Sequence, residues 1–377
     1  MLGLTALLWV IEAIVLARGV SSLPSINDAA PATDAHCPMI SILFAGRDEA
    51  EKLPAALETM LGLDYPRFEV IAVDDRSEDT TCAILQSAAE KNSRLRWLRV
   101  DVLPPGWLGK PHALEQAYQH SSGEWLVFTD ADVHFTPHVL RRAITLANHK
   151  NWAHLTLLSA ATMLTFGEKM VMTFFGMAFM IGTRPWEASN QRSRGYSGVG
   201  AFQMIRRSAY EKMGTHRRLA MEVVDDMKLG KLAKQARVRS GVARAGDCVS
   251  VHWHAGLGNT IRGTTKNFFA ATGYRLSVAA LETICVLWLC VLPIAALPFV
   301  HGWARVFACV AAGLPVFVTA GVAFGLRAPA LYALTFPLGA LVFAWMLARS
   351  TIVTLWQRGI VWRGTFYPLE ELKRGVV

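Results

Sequence analysis

One stretch of the chain decides the fold class: Trp125-Leu126-Val127-Phe128-Thr129-Asp130-Ala131-Asp132. Its first five residues are apolar or β-branched and predict a buried strand, and two carboxylates follow where that strand leaves the sheet. Open α/β sheets place ligand sites at this edge. Because one residue separates the carboxylates, one can hold a hard divalent cation while the other faces a sugar or ribose hydroxyl. A lone D-x-D pair is more often a solvated turn, so its meaning depends on the surrounding segments.

The segments before this strand alternate between strand and helix patterns. β-rich runs occupy residues 39–45, 68–73 and 95–100, and helical apolar spacing occupies residues 50–61, 79–90 and 112–120. The alternation predicts an α/β domain with a mostly parallel sheet and right-handed crossovers. Neither G-x-G-x-x-G nor a P-loop motif follows the first strand, which argues against a dinucleotide fold or a P-loop.

Charged residues follow three of the four predicted strands. Arg47 and Glu49 follow the first, Asp74 and Asp75 end the second, and the D-x-D pair ends the fourth. Parallel strands deliver these side chains to the same edge of the sheet. Carboxylates crowded in this way usually persist because cations or hydroxyl donors compensate them. The joint occurrence therefore predicts a site, although each Asp alone is typical of a turn or a helix cap.

Two further segments have the chemistry of a ligand site. Residues 103–110, Leu-Pro-Pro-Gly-Trp-Leu-Gly-Lys, predict a rigid turn that brings Lys110 to a helix start, where its ammonium and free backbone amides can reach a phosphate. A solvated surface lysine is the alternative. In residues 195–202, Gly-Tyr-Ser-Gly-Val-Gly-Ala-Phe, glycines such as Gly200 permit close approach of backbone to a ligand. A plain glycine-rich turn is equally compatible with that pattern.

Acidic and imidazole side chains appear again later in the chain. Residues 222–234 have helical spacing with Asp225 and Asp226 in the first turn, where carboxylates are favoured electrostatically. Helix capping alone is the alternative reading of this pair. His252 and His254 alternate, which predicts that both imidazoles lie on one face of a strand, within reach of a metal. Paired histidines on a strand are also commonly structural or solvent-facing.

The hydrophobic fraction, 53% of 377 residues, is high for a soluble enzyme. Almost uninterrupted apolar sequence fills residues 277–300, 303–326 and 330–347, each long enough or nearly so to cross a hydrocarbon core of about 30 Å. A shorter run at residues 2–17 contains Glu12. It lacks a basic n-region and a small-x-small cleavage site, which favours a membrane anchor over a cleaved signal peptide.

The net charge of +9 is concentrated between residues 184–218 and 237–244. These clusters do not form a nucleic-acid-binding module, and beside apolar helices they are typical of the anionic cytoplasmic leaflet. The six cysteines include no C-x-x-C pair, which indicates reduced thiols. Residues 170–183 are too short to span, and an interfacial helix and a buried core helix are both compatible with them.

The number of apolar segments and the charge of the C-terminal tail predict different membrane topologies. Three crossings after a cytoplasmic domain would put the tail outside, yet the basic residues of 357–377 favour an inside tail. One apolar segment is therefore expected to be re-entrant or interfacial.

The motifs over residues 39–270 resemble the inverting glycosyltransferases of family 2, which have the GT-A fold. The resemblance rests on Arg47-Asp48-Glu49, Val73-Asp74-Asp75-Arg76-Ser77, Gly109-Lys110, Thr129-Asp130-Ala131-Asp132 and Val224-Asp225-Asp226-Met227-Lys228-Leu229. The run at 104–110 and the flanking apolar helices are most similar to the bacterial branch that contains hopanoid-associated and carotenoid glycosyltransferases. Ceramide glucosyltransferases are more distantly similar.

The resemblance implies a Rossmann-like nucleotide-sugar-binding domain flanked by transmembrane helices, and a role for each matching residue. Uridine would be held by Asp75, Arg47 and Glu49 with support from Asp74, while Asp130 would face the ribose or sugar. Mg²⁺ or Mn²⁺ bridging the diphosphate would be ligated by Asp132, with Asp130, His252 and His254 as further candidates. Asp226 would be the general base, and Asp225 stands where the family has Glu. The family's Q-x-x-R-W motif is absent in its usual form, and Arg262 or Lys266 would supply its cation.

These expectations combine into a membrane-bound, metal-dependent hexosyltransferase that uses a UDP-sugar and a lipid hydroxyl of the sphingolipid, hopanoid or carotenoid type. It would be a multi-pass protein of the bacterial inner membrane with a cytoplasmic catalytic domain and no nucleic-acid partner. The predicted boundaries are an anchor at 1–18, a linker at 19–38, a catalytic domain at 39–270 with an interfacial and basic segment at 170–218, membrane helices at 271–356 and a basic tail at 357–377. A polysaccharide synthase and a non-catalytic nucleotide-binding membrane scaffold are the alternatives.

Overall fold

The computed structural model describes residues 1–377. The chain divides into two compact units, each built from several segments. We call one the sheet unit; it comprises Leu23–Thr162, Pro185–His252 and Arg374–Val377. We call the other the membrane unit; it comprises Met1–Ser22, Met163–Arg184 and Trp253–Lys373.

The strands are short and most of them precede a helix. They are β1 (Ile40–Gly46), β2 (Phe68–Asp75), β3 (Leu95–Val100), β4 (Trp125–Asp130), β5 (Val133–Phe135), β6 (His154–Leu158), β7 (Ala160–Ala161), β8 (Gln203–Arg206), β9 (Ser240–Arg244), β10 (Val249–Val251), β11 (Gly359–Trp362) and β12 (Thr365–Pro368).

The helices belong to both units. They are α1 (Leu2–Ser22), α2 (Leu53–Leu61), α3 (Thr81–Lys91), α4 (Gly109–Gln119), α5 (Val139–His149), α6 (Phe166–Thr183), α7 (Arg207–Met213), α8 (Asp225–Gln235), α9 (Leu257–Thr264), α10 (Asn267–Ala271), α11 (Leu276–Val286), α12 (Leu292–Ala296), α13 (Gly302–Gly325), α14 (Phe336–Gln357) and α15 (Leu369–Arg374).

A seven-stranded sheet forms the centre of the sheet unit, in the order β3-β2-β1-β4-β8-β6-β9. The four predicted strands, β1 to β4, are parallel to one another, whereas β8 is antiparallel to both β4 and β6. Helices cover both faces, so successive strand residues alternate between two buried cores. Ile42 and Phe44 of β1 pack in one core and Leu43 packs in the other. The predicted mixed α/β architecture is confirmed.

Two buried histidines of this unit are neutral in the folded state. His154 lies 3.1 Å from Oε1 of Gln203, and Nδ1 of His216 lies 2.6 Å from the hydroxyl of Tyr210. Burial lowers the pKa of His154 to about 4. It lowers the pKa of His216 to about 3, with a further contribution from the charge of Lys110.

These lowered pKa values predict acid destabilisation of the sheet unit. The unfolded histidines bind protons below about pH 6.5, whereas the folded ones stay neutral until about 4 and 3. The histidines therefore cost no stability above pH 6.5. Below that pH, each histidine lowers the free energy of unfolding by about 1.4 kcal/mol for each pH unit. We expect the melting temperature to fall between pH 7.5 and 5.5, and His154→Gln to reduce that fall. Substitution of the exposed His36 by Gln is the control. If the melting temperature changes equally with pH in the wild type and in His154→Gln, the buried His154 does not cause the acid destabilisation.

The membrane unit contains four helices long and apolar enough to cross a membrane: Leu2–Ser22, Leu276–Ala296, Gly302–Gly325 and Ala330–Gln357. The second is interrupted by a π-helical turn at Leu287–Val291, just before Pro293. Proline has no N–H to donate to the carbonyl four residues earlier, which is that of Leu289. The indole Nε1 of Trp9 donates to this carbonyl instead, at 2.9 Å. The bond joins α1 to the interrupted helix.

Helix α6 begins four residues earlier than the sequence pattern predicts, because its N-terminus is capped. The hydroxyl of Thr165 accepts from the N–H of Glu168, and the Glu168 carboxylate accepts from the N–H groups of Leu164 and Gly256 at 2.7 and 2.6 Å. Burial alone would raise the pKa of Glu168, but these hydrogen bonds outweigh it and lower the pKa to about 2. The ionised carboxylate thereby holds α6 to the segment that precedes α9.

Candidate active site

The register of the sheet brings the predicted acids to one edge. Gly46 of β1 is opposite Asp74 of β2, and Ala45 is opposite Asp130 of β4. Arg47 and Glu49 follow β1 at this edge, and the N–H of Glu49 donates to the Thr81 hydroxyl at 2.9 Å. The strand ends of the sheet unit therefore bring Arg47, Glu49, Asp74 and Asp130 to one edge.

Asp75 is held in one orientation by its neighbours. Its carboxylate accepts two hydrogen bonds from Arg76, at 2.8 and 3.1 Å, and Arg76 has a left-handed backbone with φ of 59°. A β-carbon on Gly109 would overlap with Oδ2 of Asp75, so only glycine fits at the start of α4. Asp74 is fully buried and pairs with Arg99 at 3.3 Å. Asp74 therefore supports the strand end from inside, while Asp75 lies nearer the surface.

Lys110 joins the strand-end carboxylates to those of α8. Its Nζ lies 2.6 Å from Oδ1 of Asp130 and 3.8 Å from Oδ1 of Asp225. Burial would lower the pKa of Lys110, but Asp130, Asp225 and Asp226 together raise it well above its usual value. The lysine is thus a permanent cation among three carboxylates.

Asp226 lines a small cavity that it shares with Lys110, Asp225, Gly200 and His216. Its Oδ2 accepts from the N–H of Gly200 at 2.9 Å, and its Oδ1 accepts from the N–H of Met227 at 2.7 Å. Burial raises the pKa of Asp226, the charge of Asp130 adds to the rise, and Lys110 opposes it. A carboxylate with a raised pKa beside a cavity has the properties of a general base.

The glycine-rich loop fits against these acids. A β-carbon on Gly200 would lie 2.5 Å from Oδ2 of Asp130, and one on Gly198 would overlap with the carbonyl oxygen of Asp226. Gly200 therefore makes room for the Asp130 carboxylate, and Gly198 makes room for the main chain at Asp226. This contact explains why glycine occurs at 198 and 200 without reference to a ligand.

The two carboxylates of the D-x-D pair are oxygen donors of the kind that hard divalent cations prefer. Each carboxylate already holds a cationic nitrogen: Lys110 on Asp130, and Lys52 on Asp132 at 2.8 Å. Val251 of β10 is opposite Val133 of β5, so continuing this antiparallel register by one residue places His252 opposite Asp132. The structure contains no cluster of three or more His, Cys, Asp or Glu side chains able to hold a metal by themselves. Mg²⁺ and Mn²⁺ sites that use one or two carboxylates and substrate phosphates do not require such a cluster.

Three predicted site residues belong to the membrane unit. The ring of His254 stacks on Trp253 and lies against Gly263 of α9. Arg262 donates to Asn259 at 2.6 Å, and the ammonium of Lys266 lies 4.0 Å from the centre of the Trp362 ring. Each of these side chains contacts neighbours within the membrane unit.

Sequence reasoning missed Lys52, Gln203 and His216. Gln203 donates to the carbonyl of Asp226 at 3.1 Å, and His216 lines the cavity beside Lys110. None of the three stands in a motif: Lys52 precedes α2, and Gln203 begins a strand that the pattern did not predict. Only the pairing of β8 with β4 reveals that Gln203 reaches the site.

Comparisons with known proteins concern the family and the fold of the chain. Residues 41–214 match the family model described as Glycosyl transferase family 2. The 4,4'-diaponeurosporenoate glycosyltransferase of Staphylococcus haemolyticus (strain JCSC1435) is 24% identical over 253 residues, which is 66% of this chain and 66% of the relative. The beta-monoglucosyldiacylglycerol synthase of Trichormus variabilis (strain ATCC 29413 / PCC 7937) is 32% identical over 111 residues, covering 29% of this chain and 23% of the synthase. The chain thus spans less than two thirds of these relatives.

Among solved structures, a mannosyltransferase from Pyrobaculum calidifontis in complex with GDP-Man and Mn²⁺ has a similar fold. Its TM-score is 0.54 at 18% identity, and the alignment covers 95% of this chain and 100% of that one. This likeness supports the GT-A fold of the sheet unit.

Proposed function

We propose, from the premise that residues 41–214 form a glycosyl transferase family 2 domain, that this chain transfers a hexose from a UDP-sugar to a lipid hydroxyl with inversion. The observation that carries the proposal is the position of Asp226 on the cavity, joined through Lys110 to the D-x-D pair. A proton acceptor and a cation-binding acidic pair are the two components that sugar transfer from a diphosphate requires.

We assign the donor half of the site to the strand ends. Asp75, Arg47 and Glu49 bind the uridine and Asp74 supports them, while Asp130 faces the ribose or the sugar. Lys110, Arg262 and Lys266 are the proposed cations for the diphosphate. Mg²⁺ or Mn²⁺, held by Asp132 with Asp130, His252 and His254 as further candidates, would neutralise the charge of the leaving diphosphate.

We assign the acceptor chemistry to α8. Asp226 accepts the proton of the attacking hydroxyl, and the hydrogen bonds from Gly200 and Met227 hold its carboxylate toward the cavity. Asp225, the first residue of α8, lies 3.8 Å from Lys110 and would help to orient Asp226 through that lysine. A single displacement from the face opposite the leaving group inverts the anomeric carbon.

A lipid acceptor is supported by the four apolar helices and by the names of the relatives, which are a diaponeurosporenoate glycosyltransferase and a monoglucosyldiacylglycerol synthase. We propose a sphingolipid, hopanoid or carotenoid alcohol, in a bacterial inner membrane with the catalytic domain, residues 39–270, in the cytoplasm. The basic clusters at 184–218 and 237–244 match an anionic leaflet.

Transfer of label from UDP-sugars tests this function. Purified protein with Mn²⁺, native lipid extract and labelled UDP-glucose, UDP-galactose or UDP-GlcNAc should yield a glycolipid, and GDP-mannose should not substitute. Asp132→Ala should lose the metal-dependent turnover, whereas Asp101→Asn, a surface carboxylate paired with Arg99, should retain it. A long polymer as product would support a polysaccharide synthase instead. Tight UDP binding without turnover on any lipid would support a scaffold.

Gly109→Ala is expected to weaken UDP binding about 10- to 100-fold. The added methyl group displaces Asp75, which then loses its charged hydrogen bond to the uracil of UDP. Isothermal titration of UDP measures the effect. Gly182→Ala is the matched control, since nothing lies within 4 Å of its added carbon. Unchanged UDP affinity in Gly109→Ala would remove Asp75 from the nucleotide site.

A further inference from the structure

The hydroxyl group of Tyr210 determines which ring nitrogen of His216 carries a hydrogen. Both residues are buried. The hydroxyl accepts from the main-chain N–H of His216 at 2.8 Å and lies 2.6 Å from Nδ1 of the same residue. A phenol has one hydrogen to donate, and Nδ1 is the acceptor that the structure provides for it. Because the pKa of His216 is lowered to about 3, the imidazole is neutral, so Nδ1 is unprotonated and Nε2 carries the ring hydrogen.

The hydrogen on Nε2 of His216 needs an acceptor, because a buried N–H without one is costly. The hydrogen bonds of His216 in the structure are those with Tyr210, so the acceptor of this hydrogen is not a protein group. The imidazole lines the cavity that also contains Lys110, Asp225 and Asp226. This cavity has room for about one water molecule.

Two polar side chains of the cavity are already hydrogen-bonded elsewhere. Gln203 donates to the carbonyl of Asp226 at 3.1 Å, and its Oε1 lies 3.1 Å from Nε2 of His154. The hydroxyl of Thr129 donates to the carbonyl of Ala201 at 2.8 Å. The remaining walls are apolar and are formed by Leu114, Phe128 and Leu229.

Lys110 and the carboxylates of α8 are spaced for a bridging water. The 3.8 Å between Nζ of Lys110 and Oδ1 of Asp225 is too long for a direct hydrogen bond, and water often bridges such a gap. Lys110 has three hydrogens to donate, and one of them reaches Asp130 at 2.6 Å. Asp225 and Asp226 supply carboxylate oxygens on the same cavity as the N–H of His216. Two donors and two acceptors are a complete set of partners for one buried water.

We propose that the cavity binds one ordered water molecule, which accepts from Nε2 of His216 and Nζ of Lys110 and donates to the carboxylates of Asp225 and Asp226. His216 is then a positioning residue, because it acts through this water to hold the carboxylates of α8 in place. The water site follows from the geometry alone, whereas its effect on turnover rests on the proposed role of Asp226 as general base.

The chemical shifts of the ring nitrogens test the tautomer. In the full chain with ¹⁵N-labelled histidine at neutral pH, His216 should have its hydrogen on Nε2, and its signal is identified by its loss in His216→Asn. Tyr118→Phe is the control. Its ring contacts that of Tyr210 at 4.8 Å, but its hydroxyl bonds Glu211 at 2.9 Å and is not part of the cavity, so this substitution should leave the His216 signal unchanged. A hydrogen on Nδ1 would overturn the proposal, because Nε2 would have nothing to donate.

An experimental density map of the full chain tests the water directly. It should show one water within hydrogen-bond distance of both Nε2 of His216 and Nζ of Lys110. A side chain in this position would overturn the proposal. So would the lack of density there in a map that resolves other buried waters.

Two amide variants separate positioning from folding. In His216→Asn the amide matches the position of Nδ1 and can accept from Tyr210, but nothing replaces the N–H at Nε2. In His216→Gln the amide reaches the position of Nε2 and can donate into the cavity, but the Tyr210 hydroxyl loses its acceptor. We expect kcat to fall about tenfold in His216→Asn with a melting temperature near that of the wild type. His216→Gln should keep kcat within about threefold and lower the melting temperature.

A merely structural role for His216 predicts the opposite pattern, in which kcat and the melting temperature fall together and His216→Gln is the more damaged variant. That result, or full turnover in His216→Asn, would overturn the positioning role. UDP affinity should be unchanged in both variants. If the wild type transfers no sugar from any UDP-sugar, the proposed function fails, while the ring nitrogen shifts and the density map still decide whether the water is bound.

Discussion

Asp226→Asn is expected to lower kcat by about 10²- to 10⁴-fold, the range that a positioned general base contributes. The amide keeps the size of the side chain and can accept one of the two hydrogen bonds, from Gly200 or from Met227, but it cannot take the proton of the acceptor hydroxyl. UDP affinity should stay near that of the wild type, because Asp226 lies on α8 and not at the strand ends that hold the nucleotide. Steady-state turnover of labelled UDP-sugar and titration of UDP separate the two quantities.

Asp225→Asn is the matched variant for this experiment. Asp225 is more deeply buried, and its carboxylate lies toward Lys110 at 3.8 Å, so we expect a smaller loss of kcat than in Asp226→Asn. A larger loss in Asp225→Asn would transfer the role of base to Asp225. Full turnover in both variants would remove α8 from the chemistry.

The first half of the sheet could be predicted from the sequence because its signals are local. Strands β1 to β4 are apolar runs separated by helical spacing, and β3 occupies the predicted residues 95–100. Strands β8 and β9 were missed. Gln203–Arg206 carries only two apolar residues, and Ser240–Arg244 lies in a basic segment, so both form strands through pairing with distant partners.

The candidate site likewise contains features that could be predicted from the sequence and features that could not. The strand-end acids and Lys110 could be predicted to meet because parallel strands share an edge. The pairing of each cation with its carboxylate could not be predicted from the sequence, since the contact of Lys52 with Asp132 joins residues 80 positions apart. The glycine loop was predicted to approach a ligand, yet the packing against Asp130 and Asp226 decides its composition.

Hydropathy measures whether a helix tolerates lipid and not whether it crosses it, so the length and composition of the four apolar helices do not by themselves decide which of them cross. The β11-β12 hairpin, four residues in each strand, is too short for a periodic signal.

Lys110→Met is expected to lower kcat/KM by about 10²- to 10³-fold, the effect of removing one preorganised charge from an active site. In the folded protein the ammonium compensates Asp130, Asp225 and Asp226, and it opposes the rise in the pKa of Asp226 that burial and Asp130 cause. Without it the pKa of Asp226 rises further, so less of the base is ionised at a given pH. The acidic limb of the kcat/KM profile should therefore move to higher pH.

Two lysine variants make this prediction specific. Lys52→Met removes the ammonium from Asp132, but that lysine is 42% exposed, and we expect a change in kcat/KM of less than about fivefold with no shift of the limb. Lys110→Arg keeps the charge and should keep the limb in place, although the planar guanidinium cannot match every contact of the ammonium. If Lys110→Met loses activity while its acidic limb stays at the wild-type pH, the only role of Lys110 is to bind the diphosphate. A shifted limb in Lys110→Met but not in Lys110→Arg would mean that the charge of Lys110 keeps Asp226 ionised and ready to accept a proton.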